Sequence, residues 1–225
     1  MRCEDERPMT TSPDSPRILK GGIVLLDSAT SSVVRVIVLQ YNPDSLSRTL
    51  QAQAAGESSG DRSEVLRLKG PPVETLKLEA EIDATDQLEA NDKTAVQSGL
   101  HPQLAALETI LYPPTSRILA NHALAQAGIL EILPIESPLT LFVWSPSRIV
   151  PVRITGFSIT EEAFDTKLNP IQAKVSLDMR VLSVSDLGFD HRGSSIYLAY
   201  QRVKETFAAL PTGGTFGQLG LGALP

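Results

Sequence analysis

The stretch AKVSLDMRVLSV (173–184) alternates over its whole length, with Val175, Leu177, Met179, Val181 and Val184 set against Lys174, Ser176, Asp178, Arg180 and Ser183. A repeat of two residues is the repeat of a β-strand, whose successive side chains point to opposite faces. One apolar face and one polar face belong to a half-buried strand of an antiparallel sheet. A second stretch, VETLKLEAEID (73–83), follows Pro71-Pro72 and reads the same way. Val73, Thr75, Leu76, Leu78, Ala80 and Ile82 are expected inward, with one slip in register. Glu74, Lys77, Glu79, Glu81 and Asp83 are expected outward.

More strand signals lie on both sides. Upstream, ILKGGIVLLD begins after Arg17, and the β-branched run VVRVIVLQ (33–40) follows a polar turn, as in a hairpin. Tyr41-Asn42-Pro43-Asp44 is a turn, since Pro fixes φ and removes a donor from the ladder. SLSRTLQAQ then alternates in part. Downstream, LTLFVWS (139–145) and RIVPVRITGFSITEE flank a turn at Pro146, with a loop at FDTKLNP beyond. Trp144 lies in an apolar strand and is expected in the core.

Helical periodicity appears in three places. His101-Pro102 opens a helix whose face is Leu104, Leu107, Ile110 and Leu111, and Pro113-Pro114 ends it. A second run, TSRILANHALAQAG, starts at Thr115 or Ser116 and ends at Gly128 as a C-cap. The polar residues 84–99 are expected to be a surface loop. An amphipathic helix runs from Ser194 or Ser195 to Leu210. Strands before and after a central helix do not alternate as βα units, so a parallel sheet is not expected. The fold class is mainly β with helices (α+β), an antiparallel β-barrel with a central helix and a C-terminal helix. The organisation is a flexible leader over 1–16, a barrel domain over 17–190 with a helical insert near 101–127, a C-terminal helix over 191–210, and a flexible Gly-rich tail over 211–225.

Bulk properties narrow the function. The 225 residues carry a formal charge of −6, which argues against a broad nucleic-acid surface. The single cysteine, Cys3, forms no internal disulfide and builds no Cys-based metal site. No apolar run reaches the roughly 18 residues of a membrane span. The N-terminus lacks the layout of a signal peptide, so direct membrane insertion is not expected and assembly is expected in the cytoplasm, in a particle that is either released or retained. The acids at Glu79, Glu81, Asp83, Asp86, Glu89 and Asp92 form the densest acidic cluster, and they read as a solvated strand face leading into a loop. His101, His122 and His191 sit in no metal-binding spacing, and neither a P-loop nor a GxSxG elbow is present. No catalytic residue, cofactor or metal site is expected.

Three segments carry a resemblance. QYNPDSLSRTL (40–50), HPQLAALETILYP (101–113) and the long stretch 141–187 are together similar to the contractile injection system tube/baseplate family. The resemblance covers roughly residues 17–205. It implies a tube-like barrel akin to phage tail-tube and type VI secretion tube proteins. It also implies a homo-hexameric ring between spike hub and inner tube. Many members carry a C-terminal LysM module, whereas here a Gly-rich tail follows Leu210. The partners implied are further copies of the chain, an inner tube protein, a spike or hub protein, and sheath or other baseplate proteins. Candidate interface residues are Tyr41, Asn42 and Pro43 at the turn, Phe157, Phe164, Leu168, Asn169 and Pro170 around the FDTKLNP loop, and Phe216 and Leu219 in the tail. The loop 55–72 is a candidate arm over a neighbour. Two alternatives stand beside this: a barrel that binds an effector or wall component without catalysis, and an enzyme using the acidic cluster.

Overall fold

The computed structural model describes residues 19–27, 30–54, 67–128, 137–211 and 213–222. The leader 1–16 and most of the loop 55–72 lie outside the described residues. Among the described residues seven strands form one sheet: β1 (Gly22–Leu26), β2 (Val33–Val38), β3 (Leu46–Gln51), β4 (Val73–Asp83), β5 (Leu139–Ser145), β6 (Arg148–Phe164) and β7 (Pro170–Val181). Every pairing is antiparallel, and the order is β2-β1-β5-β6-β7-β4-β3. The helices are α1 (Thr85–Glu89), α2 (Lys93–Ser98), α3 (His101–Glu108), α4 (Thr115–Gln126) and α5 (Arg192–Ala208). The chain is thus mainly β with helices, as the strand patterning predicts.

The sheet curls almost into a barrel. In a flat sheet β2 and β4 would stand five strand spacings apart, about 24 Å. Yet Gln40, just past β2, bonds the far end of β4: its Nε2 donates to the Asp83 carbonyl (2.7 Å), and the Asp83 N–H donates to its Oε1 (2.9 Å). A side-chain amide offers one donor and one acceptor, as a peptide group does, so Gln40 stands in for a rung of the missing β2–β4 ladder. Asn42 repeats the device. Its Oδ1 accepts from the Gly21 N–H (2.9 Å), and its Nδ2 donates to the Leu19 carbonyl (2.8 Å).

Helix α3 closes the gap that remains. Leu104 and Leu107 are buried in the main core, beside Ile82, Val175 and Leu177. Arg35 of β2 donates through NH1 to the Ala106 carbonyl (3.2 Å) and Thr109 Oγ1 (2.8 Å), tying α3 to the edge strand. The chain enters α3 through Gly99, with φ of +53° and no room for a side chain against the Pro170 carbonyl. That same carbonyl accepts from the Leu100 N–H at 2.9 Å. A second, smaller core of Leu26, Leu139 and Leu141 packs with Leu187 and with Ile196 of α5.

Four details differ from the sequence-based expectation. Strand β4 has no slip: Glu74, Leu76, Leu78, Ala80 and Ile82 all point inward, and Thr75 is exposed. Glu74 is 2% exposed because charged partners, described below, meet it inside. Residues 84–99 contain α1 and α2 instead of a plain loop, and Asp92 caps α2 by accepting from the Thr94 and Ala95 N–H groups. Helix α5 begins at Arg192, two residues before Ser194, because His191 is the N-cap and its Nδ1 accepts from the Gly193 N–H at 3.0 Å. Leu111 falls beyond the end of α3 and is exposed, so the helix face is narrower than its spacing suggests.

Candidate assembly surfaces

Strand β2 ends the ladder and carries VVRVIV. Val33, Val34, Val36 and Val38 are between 56% and 61% exposed. Among the described residues only one edge of β2 is paired, to β1, so its outer N–H and C=O groups face away from the sheet. An apolar, β-branched edge of this kind is a template for another strand. The opposite edge, β3, is mostly exposed and more polar, with Arg48 and Thr49 beside Leu50. Helix α4 is equally bare: it has no buried residue, and Ile118, Leu119 and Leu124 stand exposed.

The β6–β7 hairpin ends in a second surface. Phe164 is 50% exposed and Leu168 is 78% exposed. Ala163 and Leu168 both have positive φ, of +48° and +65°, which non-glycine residues adopt only when their surroundings hold them. Asp165 does the holding. Its Oδ1 accepts from the N–H groups of Lys167 (2.7 Å) and Asn169 (2.9 Å), and its Oδ2 accepts from Asn169 Nδ2 (2.8 Å). These bonds, the Asn169 side chain first, hold the Asp165 carboxyl below its ordinary range. Asn169 also reaches the Gln97 carbonyl (3.4 Å), and Pro170 is buried. The tip is therefore a fixed knob with two apolar side chains on it.

The interface residues expected from sequence divide into two groups. Phe164 and Leu168 are presented outward, together with Phe216 and Leu219 on a short 3-10 turn, Phe216–Leu219. Tyr41 is also exposed. Asn42, Asn169 and Pro170 serve the fold by the bonds above. Phe157 packs against the core, as does Trp144, which stacks on Phe142 with ring centroids 5.9 Å apart. Glu79 and Glu81 stand on the exposed face of β4, and Lys174 nearby pairs with Glu162 at 3.0 Å. That pairing raises the Lys174 pKa.

Sequence reasoning missed the charged cluster around Glu74. Tyr200 Oη donates to Glu74 Oε1 (3.0 Å), and Lys204 Nζ donates to Glu74 Oε2 (3.3 Å). Arg48 approaches Oε1 at 3.7 Å and donates to Tyr200 Oη at 3.3 Å. Lys204 also lies 4.1 Å from the centroid of the Tyr200 ring. This cluster clasps α5 to β3 and β4. Its one sequence signal was strict alternation, which puts Glu74 in phase with Leu76. Among the described residues no group of three His, Cys, Asp or Glu side chains is placed to hold a metal ion, and no helix is long and apolar enough to cross a membrane.

No protein-family model matches the chain, and no curated protein matches it. Among solved structures, a chain from the C6-symmetric tail of an empty GTA particle aligns with it. The alignment covers 72% of this chain and 90% of that one, at 13% identity and a TM-score of 0.30. At that score the likeness is loose.

Proposed function

We propose that this protein is a structural subunit of a contractile injection system, a phage-tail-like particle. It assembles into a homo-hexameric ring that joins the spike hub to the inner tube and nucleates tube assembly. It catalyses nothing, and it assembles in the cytoplasm. The observation that carries the proposal is the β2 edge, where four exposed valines lie on a strand paired on one side alone among the described residues. In water such a strand is an aggregation hazard; between subunits of a closed ring it is an interface. The rigid hairpin tip, with Phe164 and Leu168, supplies a second contact whose order precedes binding. The resemblance of residues 40–50, 101–113 and 141–187 to the tube/baseplate family supplies the identity of the ring and of its neighbours, the tube and hub proteins.

Light scattering of the purified protein, with electron microscopy of the same fraction, tests this. Rings of about six subunits are expected, either from the protein alone or after a tube or hub protein is added. A monomer that ignores both partners refutes the proposal. One observation favours a second reading, a ligand-binding barrel: a groove of about 350 Å³ lies between α3, β2 and β4. Ligand pockets begin at about this size. That reading predicts a stable monomer.

A further inference from the structure

Arg153 of β6 and Arg180 of β7 stand directly opposite each other in the sheet. Like charges so placed repel. Asp186 relieves one of them. Its Oδ1 accepts from Arg180 NH2 at 2.6 Å, while its Oδ2 accepts from the Ser183 N–H (2.9 Å) and hydroxyl (3.0 Å). In the next row of the sheet Asp178 is approached by Lys77 at 3.9 Å. Among the described residues no carboxylate pairs with Arg153, and the buried Arg180 Nε–H has no acceptor. Two guanidiniums against the Asp186 carboxylate leave one positive charge over in this row.

That charge lies at an apolar cavity. Val152 and Ile154 are buried in the main core, so Arg153 between them points to the opposite face of β6. Thr140 pairs with Val152, so Leu139 shares the face of Arg153, where it packs with Leu187 in the smaller core. Arg153, Leu139 and Leu187 line one cavity of about 400 Å³ together with Leu111, Leu182 and His191. His191 Nδ1 accepts from the Gly193 N–H (3.0 Å), which leaves the proton of the neutral ring on Nε2, a donor. Apolar walls with a few polar groups that fix one end of the occupant are the make-up of a small-molecule site, and the volume falls in that range.

We infer that this cavity binds a monocarboxylate with an apolar chain, its carboxylate on the Arg153 guanidinium and its chain against Leu139, Leu182 and Leu187. The planar guanidinium fork matches the two oxygens of a carboxylate. One surplus positive charge balances a monoanion, whereas a phosphate monoester at about −1.5 to −2 exceeds it. An anion held here also relieves the repulsion between Arg153 and Arg180, so binding stabilises the fold. The inference stands apart from the self-assembly proposed above and concerns a different cavity from the groove between α3, β2 and β4.

Calorimetric titration of the full-length protein with octanoate tests the inference, with acetate, octanol and octyl phosphate titrated beside it. One octanoate per chain is expected, bound at least about ten-fold more tightly than acetate or octanol, each of which lacks one half of the match. Arg153→Gln should weaken octanoate binding about ten-fold or more. Leu111→Asp, which sets a negative charge on an exposed wall of the cavity, should weaken it as well. Arg202→Gln, exposed on α5, should leave it unchanged. Arg153 and Leu111 are both exposed, so these variants keep the fold, which circular dichroism checks. No octanoate binding up to millimolar concentration overturns the inference. So does binding that survives Arg153→Gln, or octanol binding as tight as that of octanoate, since the cation then anchors nothing. Acetate binding as tightly would remove the apolar walls from the site, and octyl phosphate binding more tightly would give it to a phosphate; either result overturns the monocarboxylate.

Discussion

Removing both cations from the Glu74 cluster should destabilise the protein by about 3 kcal/mol. The perturbation is the double substitution Arg48→Met and Lys204→Met. It leaves a carboxylate that is 2% exposed with only the Tyr200 hydroxyl as partner. Stranding a buried charge in this way costs about 3–5 kcal/mol. The lower end applies here, because the Lys204 and Arg48 side chains are 28% and 36% exposed and water already screens part of their attraction. For a chain of this length, 1 kcal/mol moves the melting temperature by about 2–4 °C, so a fall of roughly 6–12 °C is expected. Trp144 is the only tryptophan and packs against the core, so its fluorescence reports unfolding in urea and on heating. Adding Glu74→Leu to the double variant removes the stranded charge and should restore most of the loss. A double variant within about 0.5 kcal/mol of the parent would refute the reasoning, since surface substitutions alone behave that way. It would mean that water reaches Glu74 freely and that α5 is held by its apolar contacts.

Three further outcomes follow from the same geometry. Gln40→Ala removes both bonds across the seam and leaves the Asp83 backbone groups unpaired there; a loss of about 1–3 kcal/mol is expected, with faster amide exchange at Asp83. Val36→Lys on the exposed edge should change the urea midpoint little, within about 0.5 kcal/mol of stability, while abolishing rings in light scattering; a ring that survives would show that β2 is not the subunit contact. Burial first, and the nearby Glu74 charge second, raise the pKa values of Tyr197 and Tyr200 above 10.0. The unfolded chain then loses these protons before the folded one, so stability is full below pH 10 and declines as pH rises beyond it. Tyr200→Phe should flatten that alkaline decline in a series of melts, and an unchanged slope would count against the cause given.

Strand β4 shows how far the sequence could be read. Its limits, Val73–Asp83, follow directly from alternation. Its facing differs from expectation at two residues, Glu74 and Thr75, because a carboxylate is expected to seek water. Alternation places Glu74 inward, and only the fold shows that Arg48, Tyr200 and Lys204, distant in sequence, meet it there. The same limit applies to Asn42. As part of Tyr-Asn-Pro it reads as a turn residue, yet its amide is spent on Leu19 and Gly21, more than twenty positions upstream. In the tail, glycine content suggested a spacer, whereas a Thr–Gln capping pair three residues apart makes a turn. That signal stands in the sequence itself, in the spacing of Thr215 and Gln218.

The sequence by itself determined the strands, the central and terminal helices, and the mainly β class, because residue periodicity sets which side of an element is apolar before any partner is chosen. Tertiary structure alone decided how the sheet curls, which side-chain amides close its seam, where Glu74 finds its cations, and which apolar side chains are left facing water. Those features depend on residues tens to more than a hundred positions apart coming within 3–4 Å, and no local pattern encodes that distance.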